Sequence, residues 1–315
     1  MNIGIDMMGG DFAPLEAVKG VDLYLRNSSF AGTISLIGDE DILSPLIRDF
    51  PVLKDKTRIV HAPETIGMHE HPTRAFREKP ASSIARGFEL LASATTDAFI
   101  SAGNTGAMLV GAHYSLKPLP GILRPTISTI IPKNNGSTGL LLDVGLNADC
   151  KPEHLNQFAE LGSLYARYIL GIENPRVALI NIGEEEEKGN LLAKATLPLL
   201  RDNAAINFIG NAEGRDVFID KADVLVCDGF TGNVMLKMAE SFYEITRAKG
   251  IEHEFLDRFN FEHHGGTPIL GVSRPVIIGH GISHGLAFSN MLKLAEKMVS
   301  SNLMEVMKDS FATRA

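Results

Sequence analysis

The stretch Asn2-Ile3-Gly4-Ile5-Asp6, running into Gly9-Gly10-Asp11, sets a pattern that the rest of the chain repeats. A short strand of β-branched residues opens at once and breaks into a glycine-rich turn. Further strands are predicted at Thr33–Ile37, Thr57–His61, Asp97–Ser101, Thr126–Ile131, Gly139–Asp143, Arg176–Ile182, Ala205–Ile209, Asp223–Cys227 and Pro275–Ile278. Between them, segments such as Pro152–Leu170 and Lys188–Leu200 carry apolar residues at three- and four-residue spacing, the signature of an amphipathic helix. Such alternation predicts an α/β fold, with a mostly parallel sheet and helices on both faces. Ser115–Asn135, with Pro118, Pro120, Pro125 and Pro132, interrupts it and reads as a hairpin or a crossover between lobes. The 315 residues are expected to form a single domain over 1–315, or two closely packed lobes.

Composition narrows the function. Hydrophobic residues make up 44% and charged residues 22%, which excludes a disordered chain. No apolar run approaches the ~18 residues of a membrane-spanning helix. The opening residues show no basic region and no cleavage signature, so no signal peptide is expected and the cytoplasm is the expected compartment. A net charge of −8 argues against general binding of nucleic acid. Cys150 and Cys227 are too few for a disulfide framework or a cysteine zinc site.

Glycine- and asparagine-rich turns follow strand after strand: Gly9-Gly10-Asp11, Gly103-Asn104-Thr105-Gly106, Gly183 with Lys188-Gly189-Asn190, Gly210-Asn211-Ala212-Glu213-Gly214, and Asp228-Gly229-Phe230-Thr231-Gly232-Asn233. In an open parallel sheet such turns gather outside the carboxyl ends of the strands, where these folds bind ligands. Glycine lets the backbone approach a ligand closely, and each following helix offers unpaired N–H groups. A contact of an anion with a helix start contributes about 0.3–1 kcal/mol when exposed. Asparagine adds a neutral donor and Lys188 a compact positive charge, so the turns together describe a phosphate site. Neither Gly-x-Gly-x-x-Gly nor Gly-x4-Gly-Lys-Ser/Thr occurs at them, which removes the dinucleotide and P-loop readings, and no cofactor is expected.

Other motifs carry less. Glu184-Glu185-Glu186-Glu187 reads as a solvated acidic face rather than a cation site. His69-Glu70-His71 and His263-His264 lack zincin spacing, so no metal is expected. Cys150 and Cys227 have no base beside them in sequence and read as inert thiols. No Gly-x-Ser-x-Gly elbow is present.

Ile5-Asp6-Met7-Met8-Gly9-Gly10-Asp11-Phe12-Ala13-Pro14 resembles the opening signature of the bacterial phosphate acyltransferases of phospholipid synthesis, the PlsX family. Ser101–Ala107, Leu142-Asp143-Val144-Gly145, Asn181–Glu185 with Lys188-Gly189-Asn190, Asn207–Asn211 with Glu213–Asp216, Asp228–Val234 and Gly265–Gly271 resemble further blocks of that family. The resemblance runs from residue 3 to about residue 290. It implies transfer of a long-chain acyl group from the thioester of acyl carrier protein to inorganic phosphate. The product, an acyl phosphate, would pass to a glycerol-3-phosphate acyltransferase of the membrane. The implied fold is the three-layer α/β/α sandwich shared with phosphotransacetylases and isocitrate/isopropylmalate dehydrogenases. The implied state is a cytoplasmic homodimer with peripheral membrane contact. Family members often carry a longer helical insertion where this chain has the short segment 240–264, whose Phe255, Leu256, Phe259 and Phe261 suit a dimer contact or a small amphipathic surface.

Under this resemblance Lys188 would neutralise the phosphate or the developing oxyanion, and Asn233 would donate to the same centre. Gly9, Gly10, Asn104, Thr105 and Gly106 would cradle the anion, with Gly183, Gly189, Asn190, Thr231 and Gly232 also at the substrate. Asp6, Asp143 and Asp228 would order these loops, since a carboxylate would repel phosphate. His69 is a candidate proton carrier for the departing thiol. Arg74, Arg77, Lys79 and Arg86 form the candidate landing patch for the acidic carrier protein. Two other readings share the residues: a phosphotransacetylase that uses acyl-coenzyme A, and a non-catalytic scaffold for lipid-synthesis enzymes.

Overall fold

The computed structural model describes residues 1–312. Its strands are β1 (Asn2–Asp6), β2 (Thr33–Gly38), β3 (Thr57–His61), β4 (Ala98–Ser101), β5 (Thr126–Pro132) and β6 (Thr138–Leu142). They continue with β7 (Arg176–Ile180), β8 (Asn207–Ala212), β9 (Val224–Val226), β10 (Thr267–Leu270) and β11 (Val276–Ile278). The α-helices are α1 (Leu15–Asn27), α2 (Glu40–Ile47), α3 (Pro72–Glu78), α4 (Ser83–Ala92), α5 (Thr105–Gly111) and α6 (Pro152–Tyr165). They continue with α7 (Leu191–Arg201), α8 (Gly229–Ala248), α9 (Glu254–Asp257), α10 (Gly285–Ser300) and α11 (Leu303–Ala312). The chain divides into two compact units, the first Met1–Pro118 with Phe261–Met304, the second Leu119–Asn260 with the residues from Glu305 onward.

In the first unit the strand order is β3-β2-β1-β4-β11-β10. All neighbours are parallel except β10, which runs antiparallel to β11. Ile3, Ile5, Ile34, Leu36, Ile37, Phe99 and Ile100 have no exposed surface, so these strands read as unbroken apolar runs. That is the mark of a parallel sheet covered on both sides. Helices α1 and α10 pack together on one side, and α4 and α5 on the other. In the second unit the order is β5-β6-β9-β7-β8, with β5 and β6 an antiparallel hairpin and the rest parallel. Helices α6 and α7 lie side by side against it.

The structure differs from the sequence reading at identifiable places. β10 was not predicted, because four residues containing Pro268 give no alternation to detect. Gly210-Asn211 is not a turn but part of β8, where the pairing with β7 shifts register between Val177 and Leu179. Gly210, at φ +101°, serves that irregularity, and Asn211 donates to the carbonyls of Glu184 and Glu185. Phe255 and Phe259 do not form a free amphipathic surface. They meet edge to face, and Phe259 meets Phe218 likewise, while Phe261 pairs with His280. The exposed apolar stripe of this region lies instead on α8, at Phe230, Val234, Met238, Phe242 and Ile245. Among the described residues no helix is long and apolar enough to cross a membrane.

Candidate active site

The residues singled out in the sequence fall into two clusters, one in each unit. In the first, β1 ends at Asp6, which is fully buried. Its carboxylate accepts from the Met8 N–H at 2.9 Å and from the Ser101 hydroxyl at 2.6 Å. Ser101 in turn accepts from the Gly103 N–H at 2.9 Å, so the turns after β1 and β4 are tied through one carboxylate. Burial pushes the Asp6 carboxyl above its ordinary range against these hydrogen bonds. The two turns touch: a Cβ on Gly9 would stand 2.6 Å from the Gly103 nitrogen, so only glycine fits. Gly10, at φ +107°, leads to Asp11, whose N–H donates to the Gly281 carbonyl at 2.7 Å.

Asn104 caps α5, accepting from the Ala107 N–H at 3.0 Å. Its Nδ2 donates to the carbonyls of Gly67, Met68 and Glu70 at 3.0, 3.2 and 3.1 Å. Both ends of this buried amide are therefore spent inside the chain. What Asn104 does is hold the 67–70 loop, which carries the exposed His69. Glu70 fixes the same loop by accepting from the Gly67 N–H and from Lys79. Thr105 opens α5, and Gly106 leaves room for Pro72 at the start of α3.

In the second cluster Asp143, just past β6, gathers four N–H donors. Oδ1 accepts from Gly145 and Leu146, each at 2.9 Å, and Oδ2 from the Asn147 amide at 3.0 Å and its Nδ2 at 2.6 Å. Asp228 caps α8, taking the Thr231 N–H and the Thr231 hydroxyl, both at 2.9 Å. Gly232 lets that first turn press against the strand end, because a Cβ there would collide with the Asp143 carbonyl oxygen. Asn233 is exposed, and its side chain lies over Gly145, where a Cβ would stand 3.3 Å from Asn233 Oδ1.

After β7, Asn181 accepts from the Ile182 N–H and donates to the Lys188 carbonyl, closing the loop that carries the glutamates. Within it Glu184 pairs with Lys221 at 2.6 Å and Glu186 with Arg201. The acidic run is thus partly an ion-paired face. Lys188 is exposed, its stem lies over Gly183, and among the described residues it has no ion-pair partner. Asn190 caps α7 by accepting from the Ala193 N–H at 2.8 Å, and among the described residues its Nδ2 has no hydrogen-bond partner. Gly189, Asn190, Asp228 and Thr231 line one cavity of about 520 Å³ within this unit. Lys188, Gly183, Gly232 and Asn233 are not part of its lining.

The thiols are held protonated. Burial, then the charges of Asp143 and Asp228, push Cys150 up to about 12, and burial lifts Cys227 well above its usual range. Of the basic stretch, Arg74 pairs with Glu78, Lys79 with Glu70 and Arg86 with Glu89, while Arg77 has no ion-pair partner among the described residues. Sequence reasoning did not pick out Asn147, Ser101 or the apolar cavity walls. Asn147 sits four residues beyond Asp143 in no recognised spacing, and the wall leucines look like any core leucine.

Residues 1–306 match the model of a family described as fatty acid synthesis protein. The chain is 43% identical over 318 residues to a phosphate acyltransferase of Dictyoglomus turgidum, covering 95% of this chain and 94% of that one. It is 42% identical over 328 residues to a phosphate acyltransferase of Halothermothrix orenii, covering 98% of each. Among solved structures, EutD phosphotransacetylase from Staphylococcus aureus shares the fold with a TM-score of 0.65 at 15% identity, over 94% of both chains. A branched-chain phosphotransacylase from Enterococcus faecalis does so with a TM-score of 0.63 at 16% identity, over 95% of this chain and 99% of that one. The α/β architecture with helices on both sides of a mostly parallel sheet is thus that of solved phosphotransacylases. By its sequence, over nearly its whole length, the chain belongs to the phosphate acyltransferase family.

Proposed function

We propose that this acyltransferase moves a long-chain acyl group from the thioester of acyl carrier protein to inorganic phosphate, yielding acyl phosphate for phospholipid synthesis. The observation that carries the reading is Lys188. It follows four glutamates yet pairs with none of them, and it stands three residues before Leu191, the start of α7, in the same loop as the free Asn190 Nδ2. A full positive charge beside a helix N-terminus is an anion site.

Phosphate is a competent nucleophile near pH 7, so the protein has to supply position and charge stabilisation rather than a covalent intermediate. A phosphate oxygen attacks the thioester carbonyl, the C–O bond forms, and the C–S bond breaks through a tetrahedral oxyanion. The proton that phosphate loses ends on the departing thiol. In this scheme Lys188 offsets the negative charge and Asn233 donates to the oxyanion. Alignment of the reactants contributes up to ~7–11 kcal/mol in well-ordered systems. Gly183, Gly189, Asn190, Thr231 and Gly232 shape the substrate contact in the second unit. Gly9, Gly10, Thr105 and Gly106 do so in the first, with Asn104 holding the loop of His69, the proposed proton carrier. The protonated thiols support direct attack by phosphate over an acyl-cysteine route.

The same proposal includes a cytoplasmic homodimer, supported by the apolar stripe of α8, and delivery of the product to a membrane glycerol-3-phosphate acyltransferase. Carrier-protein docking rests on Arg77 more than on its paired neighbours Arg74, Lys79 and Arg86, because surface ion pairs cancel much of the field a partner would feel. The fold shared with phosphotransacetylases keeps coenzyme A as the second donor to test. The assay is hydroxylamine trapping of acyl phosphate with phosphate and palmitoyl thioesters of either donor. Phosphate-dependent hydroxamate from the carrier thioester is the expected result. Product from coenzyme A alone moves the reading to a phosphotransacetylase, and product from neither, in folded protein, moves it to a scaffold.

A further inference from the structure

We propose that the cavity of the second unit is the pocket for the hydrocarbon tail of the acyl donor, with Ala193 setting how much tail it admits; this rests on the acyl-transfer reading above. The cavity, about 520 Å³, has the size of a small-molecule site, commonly ~300–1,000 Å³. Its walls are Leu155 of α6, Leu179 and Ile180 of β7, Leu192 and Ala193 of α7, and the Cys227 thiol. None of these offers an ionised group to a ligand.

Apart from the Nδ2 of Asn190, the polar groups of the lining side chains are engaged with the chain itself. Asp228 holds Thr231 through both of its oxygens, Asn181 bridges the Ile182 N–H and the Lys188 carbonyl, and Asn190 Oδ1 holds the Ala193 N–H. A polar ligand inside would lose its water and find few partners, which is costly. A hydrocarbon tail has no hydrogen bonds to lose on entering and leaves water for an apolar wall. The free Nδ2 of Asn190 belongs to a lining residue that follows Gly189, itself a lining residue and next to Lys188. Gly189 and Asn190 thus link the cavity lining to the loop that carries Lys188, and in this proposal a tail inside holds its carbonyl end near that loop.

Two further side chains extend the apolar track. Ile182, which lines the cavity, is 80% exposed, and Leu191, beside Asn190, is 89% exposed. Large aliphatic side chains left in water next to an apolar cavity suit a chain longer than the cavity itself. Ala193 is buried, and its Cβ stands 2.9 Å from the place a Cβ would take on Gly189. A larger side chain there would fill the space behind Gly189 and Asn190, and a leucine suits the helix with little loss of propensity.

The test compares wild type with Ala193→Leu and the milder Ala193→Val on butyryl, decanoyl and palmitoyl donors, reading hydroxamate. Binding of cis-parinaric acid, followed by its fluorescence, supplies a readout independent of turnover. The ratio of palmitoyl to butyryl kcat/KM should fall about tenfold or more in Ala193→Leu, less in Ala193→Val, on the scale that one methylene has in a hydrophobic pocket. Parinaric acid binding should weaken in the same order. An unchanged ratio with unchanged parinaric acid affinity in both folded variants would overturn the tail assignment. Wild-type protein that makes no acyl phosphate from any donor would instead overturn the acyl-transfer reading.

Discussion

Replacing Asp143 with asparagine changes one atom and nearly no volume, and the geometry around it allows the cost to be worked out. Four N–H groups converge on the carboxylate, two on each oxygen. An asparagine amide has to place its NH2 at one of those two positions. In one orientation it faces the amides of Gly145 and Leu146, in the other the amide and side chain of Asn147. Either way two charge-assisted hydrogen bonds are lost, at about 1.5–3 kcal/mol each, or roughly 3–6 kcal/mol together. Burial pushes the Asp143 carboxyl above its ordinary range, so removing the charge recovers some desolvation cost, about 1–3 kcal/mol. Taking the middle of each range, the net penalty is about 2.5 kcal/mol, which corresponds to a roughly 70-fold rise in local opening. Hydrogen exchange at the amides of Gly145, Leu146 and Asn147 reads that opening directly. Since Asn233 lies over Gly145, turnover should fall along with protection. Exchange within about threefold of wild type, a difference near 0.6 kcal/mol, would refute the view that this carboxylate orders the loop.

Lys188→Ala and Asn233→Ala should keep wild-type circular dichroism and lose roughly 10²-fold in kcat, the scale of one oxyanion donor; near-normal turnover in both would sink their assignment. Asp223 accepts from Lys133 at 2.8 Å and from Arg176 at 2.9 Å, and these partners hold its carboxyl far below the usual range. Its contribution is therefore present above the unfolded carboxylate value, about 3.9, and is lost as pH falls toward the folded value. Asp223→Asn leaves Lys133, only 2% exposed, with Asp220 alone, and should cost about 3 kcal/mol at pH 7. In urea unfolding the gap to wild type should narrow below pH 4, and a gap independent of pH would count against the ion-pair account. Cys150 and Cys227, with thiols pushed far up, should react with iodoacetamide at pH 8 much more slowly than a free cysteine. Rapid alkylation of either, followed by mass spectrometry, would contradict the burial argument.

The strands were legible because a buried parallel strand needs an unbroken apolar run, and such runs stand out between glycine-rich turns. Asn2–Asp6 appears in the structure with the bounds read from the sequence, and so does Thr57–His61, a half-exposed edge strand whose β-branched Thr57, Ile59 and Val60 gave the signal instead. β10 escaped because pairing with β11, rather than any local pattern, makes its four residues a strand. The turns were harder to read correctly, and the reason is chemical. A helix start needs an oxygen acceptor for its own N–H groups, and an anion site needs N–H donors at the same place, so Asn and Asp at these positions serve either demand. Asn104, Asn190 and Asp228 each meet the first demand in the structure, through Ala107, Ala193 and Thr231. Among the described residues of the second unit's turns, the side-chain groups left over for a substrate include the Nδ2 of Asn190, the Asn233 side chain and Lys188. Sequence alone does not distinguish a cap from a ligand donor. It also does not show that Lys188 stays unpaired while Glu184 and Glu186 find Lys221 and Arg201, since both partners arrive from other elements of the fold. The residues most open to chemistry are thus set by what tertiary structure leaves unspent, and mutating a cap such as Asp228 should report on helix order before it reports on phosphate.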